Sequence, residues 1–151
     1  MDGSVVAKNR KAFHDFYILD TIEAGIALKG SEVKSLREGR ANLRDAYVEI
    51  RGGNAYLIGV HISPYSHTGF VGHEPTRDRR LLLHKREILK LRQLIAEKGI
   101  TAIPLKLYFR GSWAKVEIGI AKGKKTYDKK AALKARDIKR ETDREMNRYS
   151  K

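Results

Sequence analysis

The sequence predicts a mainly β protein with flanking helices, an α+β fold whose short antiparallel strands form a small OB-like barrel. Apolar and polar residues alternate with a period of two in several segments, as in half-buried strands. Turns that contain glycine separate these segments. The composition also changes late in the chain, which divides a body at 1–121 from a basic tail at 122–151. With 151 residues, the chain is long enough for one domain with a hydrophobic core.

The first predicted strand covers 22–28, where the even-numbered residues are apolar. This alternation places Glu23 and Gly25 together on the outward face. Gly30 and Ser31 then end the strand, and Ser31 is suited to cap a short helix. Glu32 would lie in the first turn of that helix, near the positive end of its dipole.

A β-hairpin is predicted next, because two alternating segments at 46–50 and 56–60 flank Gly52 and Gly53. The segment 63–80 is polar and irregular, and loops of this length are uncommon unless they are functional. A helix follows, with Ile88, Leu91 and Ile95 on its inward face.

Two further strands are predicted on either side of Gly111 and Ser112. Their alternation leaves Trp113 and Lys115 on the outward face. Pro104 should lie at a strand start or edge, since it has no N–H to donate to a ladder.

The tail has 12 basic and 5 acidic residues between 122 and 151 and few apolar ones. Arg136, Arg140 and Arg144 recur at helical spacing, but an isolated helix of this kind is marginal in water. The tail also has too little apolar surface to offset the entropy of ordering it. We therefore predict a tail that is disordered alone and helical when bound to RNA.

The net charge of the chain is +14, from 32 Lys and Arg against 18 Asp and Glu. This excess favours a polyanionic partner, either a nucleic acid or an anionic membrane. The sequence has no cysteine, so disulfides and thiolate metal sites are excluded. Residues 1–10 contain no apolar segment of the signal-peptide type, and we expect a cytoplasmic location.

Catalytic and cofactor sites are not predicted. The five histidines have no metal-ligand spacing, so we expect no metal site. The segment 119–125 resembles a phosphate-binding loop only weakly, because it lacks the hydroxyl residue after the lysine. No nucleophile motif is present, and we expect neither a cofactor nor an enzyme.

RNA binding is better supported by clusters of basic and aromatic residues. Arg77, Arg79 and Arg80 form one cluster that could neutralise phosphates, and the basic residues of 124–130 form another. Exposed aromatic rings contribute about 1–3 kcal/mol per stacked base. Tyr108 and Trp113 are candidates for such stacking, although packing on the rim of the core is an equal alternative for both.

Several segments also match the signature of a known family. They are NRKA at 9–12, EAGIAL at 23–28, GSEVKSLR at 30–37, RLLL at 80–83, PLKLY at 104–108 and AKGKK at 121–125. The chain therefore resembles the SsrA-binding proteins, also called small protein B. The resemblance implies an OB-like closed barrel that binds the tRNA-like domain of transfer-messenger RNA (tmRNA) in trans-translation.

The resemblance further implies that the RNA is delivered to the A site of stalled ribosomes for rescue and peptide tagging. The tail would enter the empty mRNA channel and be helical on the ribosome. The implied partners are tmRNA, the small-subunit decoding centre and elongation factor Tu, and no membrane.

Individual contact positions follow from the same resemblance. For tmRNA they are Asn9, Glu23, Gly25, Leu82 and Lys115, and for the ribosome they are Lys124, Lys125, Tyr127, Asp128, Lys129 and Lys130. Lys130 stands where the family commonly has Arg, so it keeps the charge but loses the planar fork for bidentate contacts. The residues alone leave three other interpretations open: a small nuclease, a general single-strand binder and a membrane-surface protein.

Overall fold

The structure is a computed structural model that describes residues 5–64 and 73–124. Within these residues the elements are β1 (Val5–Lys8), α1 (Arg10–Asp15), β2 (Phe16–Ile26), α2 (Gly30–Arg37), β3 (Ala41–Asn42), β4 (Tyr47–Arg51), β5 (Asn54–Ile58), β6 (His61–Ile62), β7 (Arg79–Leu82), α3 (Lys85–Ala96), β8 (Ile100–Arg110) and β9 (Trp113–Gly123). The predicted class, mainly β with flanking helices, is confirmed. No helix in the described part of the chain is long and apolar enough to cross a membrane.

Seven strands form one antiparallel sheet in the order β1-β8-β9-β2-β7-β5-β4, and β3 pairs separately with β6. The expected closure of the barrel is wrong for the described residues, because no ladder joins the edge strands β1 and β4. The sheet curls instead. β4 lies against β8 and β3 lies beside β1, although no ladder joins β4 to β1.

The predicted hairpin is confirmed as β4 and β5, with Arg51 paired to Asn54 across the turn. Gly52 and Gly53 have φ angles of 52° and 80°. A two-residue turn whose twist matches that of the flanking strands requires positive φ at both positions, which glycine adopts without steric cost.

Strand β2 is longer than the alternation indicated, since it begins at Phe16 rather than Ile22. Its register against β9 shifts between Ile18 and Asp20, and this bulge interrupts the period-two pattern that would have identified its first half. Pro104 lies inside β8, next to a second register shift, so the predicted strand start is wrong. It lies beyond the ladder with β1, which ends at Lys106, in agreement with the predicted edge position. The last strand continues to Gly123, two residues beyond the predicted end of the body at 121.

Strand β7 is not predicted from the sequence, because its four residues are too few to show a period-two alternation. Its four residues join the two parts of the sheet: Gly25 of β2 pairs with Leu82, and Leu57 of β5 pairs with Arg79. The helix that follows agrees with the prediction, with Ile88 and Leu91 buried and Ile95 partly buried against the core.

Helix α2 is held by a buried ion-pair network centred on Glu32. The Glu32 carboxylate is fully buried, with Arg77 Nη2 2.6 Å from one oxygen and Arg79 Nε 2.5 Å from the other. The backbone N–H of Lys29 also donates to this carboxylate, at 2.8 Å. Burial raises the pKa of Glu32, but the hydrogen bonds from Arg77, Lys29 and Arg79 outweigh it, so the pKa falls below its ordinary value.

The Arg79 side chain is also fully buried. Besides Glu32, it donates to the carbonyl oxygens of Val60, at 2.7 Å, and Pro75, at 3.0 Å. Burial lowers its pKa, while the hydrogen bond to Glu32 opposes this shift. Such a guanidinium remains charged in a protein, so the network is a true ion pair inside the core.

The N-cap of α2 is Lys29, so the predicted cap at Ser31 is wrong. The Ser31 hydroxyl lies 2.8 Å from His73 Nδ1, and His73 Nε2 lies 2.8 Å from the carbonyl oxygen of Ile62. Because a carbonyl can only accept, Nε2 carries an N–H that donates to Ile62, and in the neutral ring Nδ1 then accepts from the hydroxyl of Ser31. This buried histidine therefore links α2 to β6.

We expect Glu32→Gln to lower the free energy of unfolding by about 3–5 kcal/mol at neutral pH, because it leaves Arg79 buried without a counter-charge. Since the folded pKa of Glu32 is depressed, its stabilisation is present above the ordinary value of 4.5 and is lost as the pH falls through the folded pKa. Urea titrations from about pH 7 to about pH 3 should show the difference between variant and parent shrinking on acidification.

Glu87→Gln is the matched control. Glu87 occupies the same position in the first turn of α3, and its carboxylate accepts from the backbone N–H of His84 at 3.1 Å. This pair is exposed and lacks buried arginines, so its loss should cost less than about 1 kcal/mol. Equal losses for the two variants would show that the buried ion pairs of Glu32 contribute no more than its capping bond.

Candidate nucleic-acid interface

Four side-chain positions align across the outer face of the sheet, one from each of four adjacent strands. Tyr108 of β8 is in register with Lys115 of β9, Lys115 with Gly25 of β2, and Gly25 with Leu82 of β7. We call these four residues the cross-strand row. Neighbouring strands lie about 4.8 Å apart, so the row spans about 15 Å of the surface.

The absence of a side chain at Gly25 leaves room for Leu82 at one end of the row. A Cβ atom at position 25 would be 3.2 Å from the Cβ of Leu82 and 3.4 Å from its Cδ1. The backbone of Gly25 does lie on the predicted outer face, but Leu82 covers it and leaves it buried. Leu82 is itself 49% exposed, so the row ends in an apolar side chain open to solvent.

Glu23 lies beside the row and is held by two partners. The Tyr108 hydroxyl donates to Glu23 Oε2, and Arg110 Nη2 lies 2.9 Å from the same oxygen. Tyr108 is largely buried, whereas the Glu23 side chain is 33% exposed. Burial and the hydrogen bond to Glu23 raise the pKa of Tyr108 above its ordinary range. Glu23 therefore orients Arg110 at the edge of the row.

The two candidate stacking residues differ in exposure. Tyr108 packs on the rim of the core, in agreement with one of the two alternatives, and its hydroxyl contacts Glu23. Trp113, at the tip of the β8–β9 hairpin, is 70% exposed. Packing on the core is therefore wrong for Trp113 and correct for Tyr108.

A family model described as SmpB protein matches residues 6–148. The chain belongs to the SmpB protein family. An SsrA-binding protein of Carboxydothermus hydrogenoformans is 54% identical over 142 residues, which are 94% of this chain and 95% of the relative. One from Sulfurihydrogenibium sp. is 55% identical over 144 residues, 95% of each chain.

A solved structure supports the same assignment. A chain from the structure described as "tmRNA-SmpB: a journey to the center of the bacterial ribosome" aligns with a TM-score of 0.71 and 44% identity, over 85% of this chain and 94% of that one. The resemblance to SsrA-binding proteins inferred from short motifs is thus confirmed over nearly the whole chain.

The tmRNA-contact positions implied by the SmpB resemblance fall in two places. Glu23, Gly25, Leu82 and Lys115 lie together on or beside the cross-strand row. Asn9 is elsewhere and buried: its side-chain amide donates to the carbonyl of Pro104 at 2.9 Å, and its oxygen accepts from Ala12 N. In this structure Asn9 caps α1 and ties it to β8.

Lys124 is the one ribosome-contact position of the SmpB resemblance that the structure describes. Its backbone N–H donates to the carbonyl of Asp15 at 2.9 Å, its ammonium donates to that of Phe13 at 3.3 Å, and the ammonium lies 4.9 Å from the ring centre of Tyr17. The root of the tail is thereby attached to α1 and β2. The other five positions, Lys125, Tyr127, Asp128, Lys129 and Lys130, lie outside the described residues.

The predicted phosphate-binding cluster of three arginines is mostly wrong. Arg77 and Arg79 are committed to Glu32, and of the three only Arg80 is exposed on β7. The number of arginines along the chain does not distinguish a buried arginine from an exposed one, because Glu32, the ion-pair partner of Arg79, is 47 residues away in the sequence. Within the described residues, no group of three or more His, Asp or Glu could hold a metal ion.

We expect Tyr108→Phe to lower the free energy of unfolding by about 1–3 kcal/mol, because a buried hydroxyl loses its bond to a charged acceptor. Chemical denaturation measures the change. Tyr47→Phe is the control, since Tyr47 is an exposed tyrosine on the edge strand β4 and its hydroxyl should contribute little. Equal effects of the two changes would show that the hydrogen bond from Tyr108 to Glu23 does not stabilise the fold.

Proposed function

We propose that this chain binds tmRNA through the cross-strand row and its neighbours, and that it acts without catalysis in ribosome rescue by trans-translation. The observation that carries this proposal is the row itself. It brings Lys115, Leu82 and the Glu23–Arg110 pair onto one surface, in a chain whose relatives are named SsrA-binding proteins. A cation, an apolar side chain and an oriented guanidinium offer contacts to phosphate, base and sugar edges.

The charge of the whole chain supports a polyanionic partner. A net charge of +14 attracts RNA at long range and makes the affinity depend on salt. Glu23, beside the row, adds the short-range selectivity, because its carboxylate can accept from base amino groups and would repel an unselected phosphate. We propose that the tRNA-like domain of tmRNA is the part that is bound.

We further propose a division of labour between body and tail. The body delivers tmRNA to the A site of a stalled ribosome, in a complex with elongation factor Tu. The tail, defined from the sequence as 122–151, enters the empty mRNA channel near the decoding centre with its residues beyond Lys124, since β9 holds Lys122 and Gly123 in the body. Its 12 basic residues against 5 acidic ones suit a passage lined by ribosomal RNA phosphate.

Lys115→Ala should weaken binding of the tRNA-like fragment about tenfold, the equivalent of about 1.4 kcal/mol, because a charge-assisted contact is lost. Gel shifts at about 50 mM and about 200 mM salt measure the change. Lys90→Ala removes the same charge from an exposed position on α3 outside the row, and it should bind nearly as the parent does. If both variants bind equally, the row is not the interface.

The same binding assay separates the rival functions. A general single-strand binder would lose the tRNA-like fragment to an excess of unrelated single-stranded RNA. A nuclease would cleave the fragment during incubation with magnesium. We expect neither competition nor cleavage.

A chain ended after Lys124 should keep its affinity for the tRNA-like fragment but fail to support peptide tagging on stalled ribosomes. Ending at this residue keeps the bonds of Lys124 to Asp15 and Phe13, so the body should stay intact. A reconstituted tagging reaction measures the loss, with thermal unfolding as the check on the body. Normal tagging by the shortened chain would refute the proposed division of labour.

A further inference from the structure

Trp113 is the single tryptophan of the sequence and the most exposed large hydrophobic side chain in the described residues. It begins β9 at the tip of a hairpin and pairs across the turn with Arg110. The hairpin does not need an indole to form, because Gly111 supplies the positive φ angle of the turn, 63°. A large apolar ring held in water at a defined position gains most from a partner that covers it.

A groove of about 580 Å³ opens beside this ring. Trp113 and Ser112 of the hairpin tip bound it on one side, and Leu28 and Val33, before and within α2, on another. Three members of the cross-strand row complete its lining: Gly25, Leu82 and Lys115. The volume lies within the range of about 300–1,000 Å³ that is usual for small-ligand sites. The groove is therefore a continuation of the candidate interface.

The walls of the groove indicate the chemistry of its occupant. Its lining is mainly apolar, and Lys115 is the one charged residue among the described residues that form it. An aromatic face, aliphatic walls and a single cation match a flat apolar group that carries an anion next to it. A nucleotide has this composition, with a π-face on the base and a negative phosphate.

We propose that this groove binds one unpaired nucleotide of the RNA, with its base stacked on Trp113, the side of the base against Leu82, and its phosphate near Lys115. This inference rests on the proposed function and adds a base-binding site to it. Bases that have left the helical stack are the features that proteins read on folded RNA, because paired bases in an A-form helix hide their edges. Arg110 stays with Glu23 and is not required for the stack.

The fluorescence of the full chain tests the site directly, because all tryptophan emission comes from Trp113. Titration with the tRNA-like fragment of tmRNA should quench the emission and shield the ring from acrylamide, in step with binding measured by gel shift. Heparin is the control ligand: it supplies dense negative charge without bases, and it should bind without quenching.

Two substitutions supply an independent readout. Trp113→Leu should weaken binding of the fragment about tenfold, whereas Trp113→Phe should recover most of the affinity, because stacking needs a ring and not only an apolar surface. The exposed position means that neither change should lower the melting temperature. Leu89→Ala, at an exposed apolar residue of α3, should leave the affinity unchanged.

The outcomes separate this inference from the proposed function. A gel shift without quenching, or equal affinities for the Leu and Phe variants, overturns the base-binding site and leaves the proposed function standing. The absence of any gel shift overturns both. Emission that changes with protein concentration before RNA is added would mean that a second copy of the chain covers Trp113, which also overturns the site.

Discussion

The buried carboxylate of Glu32 is the constraint on which the arrangement of the sheet depends. It neutralises Arg79, and Arg79 in turn is part of β7, the strand that stands between β2 and β5 in the sheet. An unpaired guanidinium could not remain in the core, because burial of an isolated charge is prohibitively costly. The ion pair thus fixes β7, and with it the position of Leu82 over Gly25 at the end of the cross-strand row.

Local signals in the sequence were sufficient for much of the fold. Period-two alternation identified the second half of β2, both strands of the β4–β5 hairpin and most of β8 and β9, because apolar residues recur at every second position in these segments. Gly52 and Gly53 were recognisable since a tight hairpin turn requires positive φ. The outward placement of Glu23 and Lys115 followed from the same alternation and is confirmed.

Non-local contacts account for what the sequence could not predict. The role of Arg79 depends on a partner 47 residues away, and the bond from Tyr108 to Glu23 spans 85 residues. Bulges conceal the first half of β2 and the place of Pro104, since an extra residue inverts the alternation. Family motifs supplied the contact positions, but only the fold reveals that four of the five tmRNA positions lie together and that Asn9 is apart.

Helix α1 fixes the distance between the sheet and the start of the tail. Asn9 fastens this helix to Pro104 of β8, and the carbonyls at the far end of the helix hold Lys124, where the tail begins. The gap between the face bearing Lys115 and the origin of the tail is therefore set by folded structure and not by a loose linker. A partner bound to the face that bears Lys115 therefore also sets the position from which the residues after Lys124 extend.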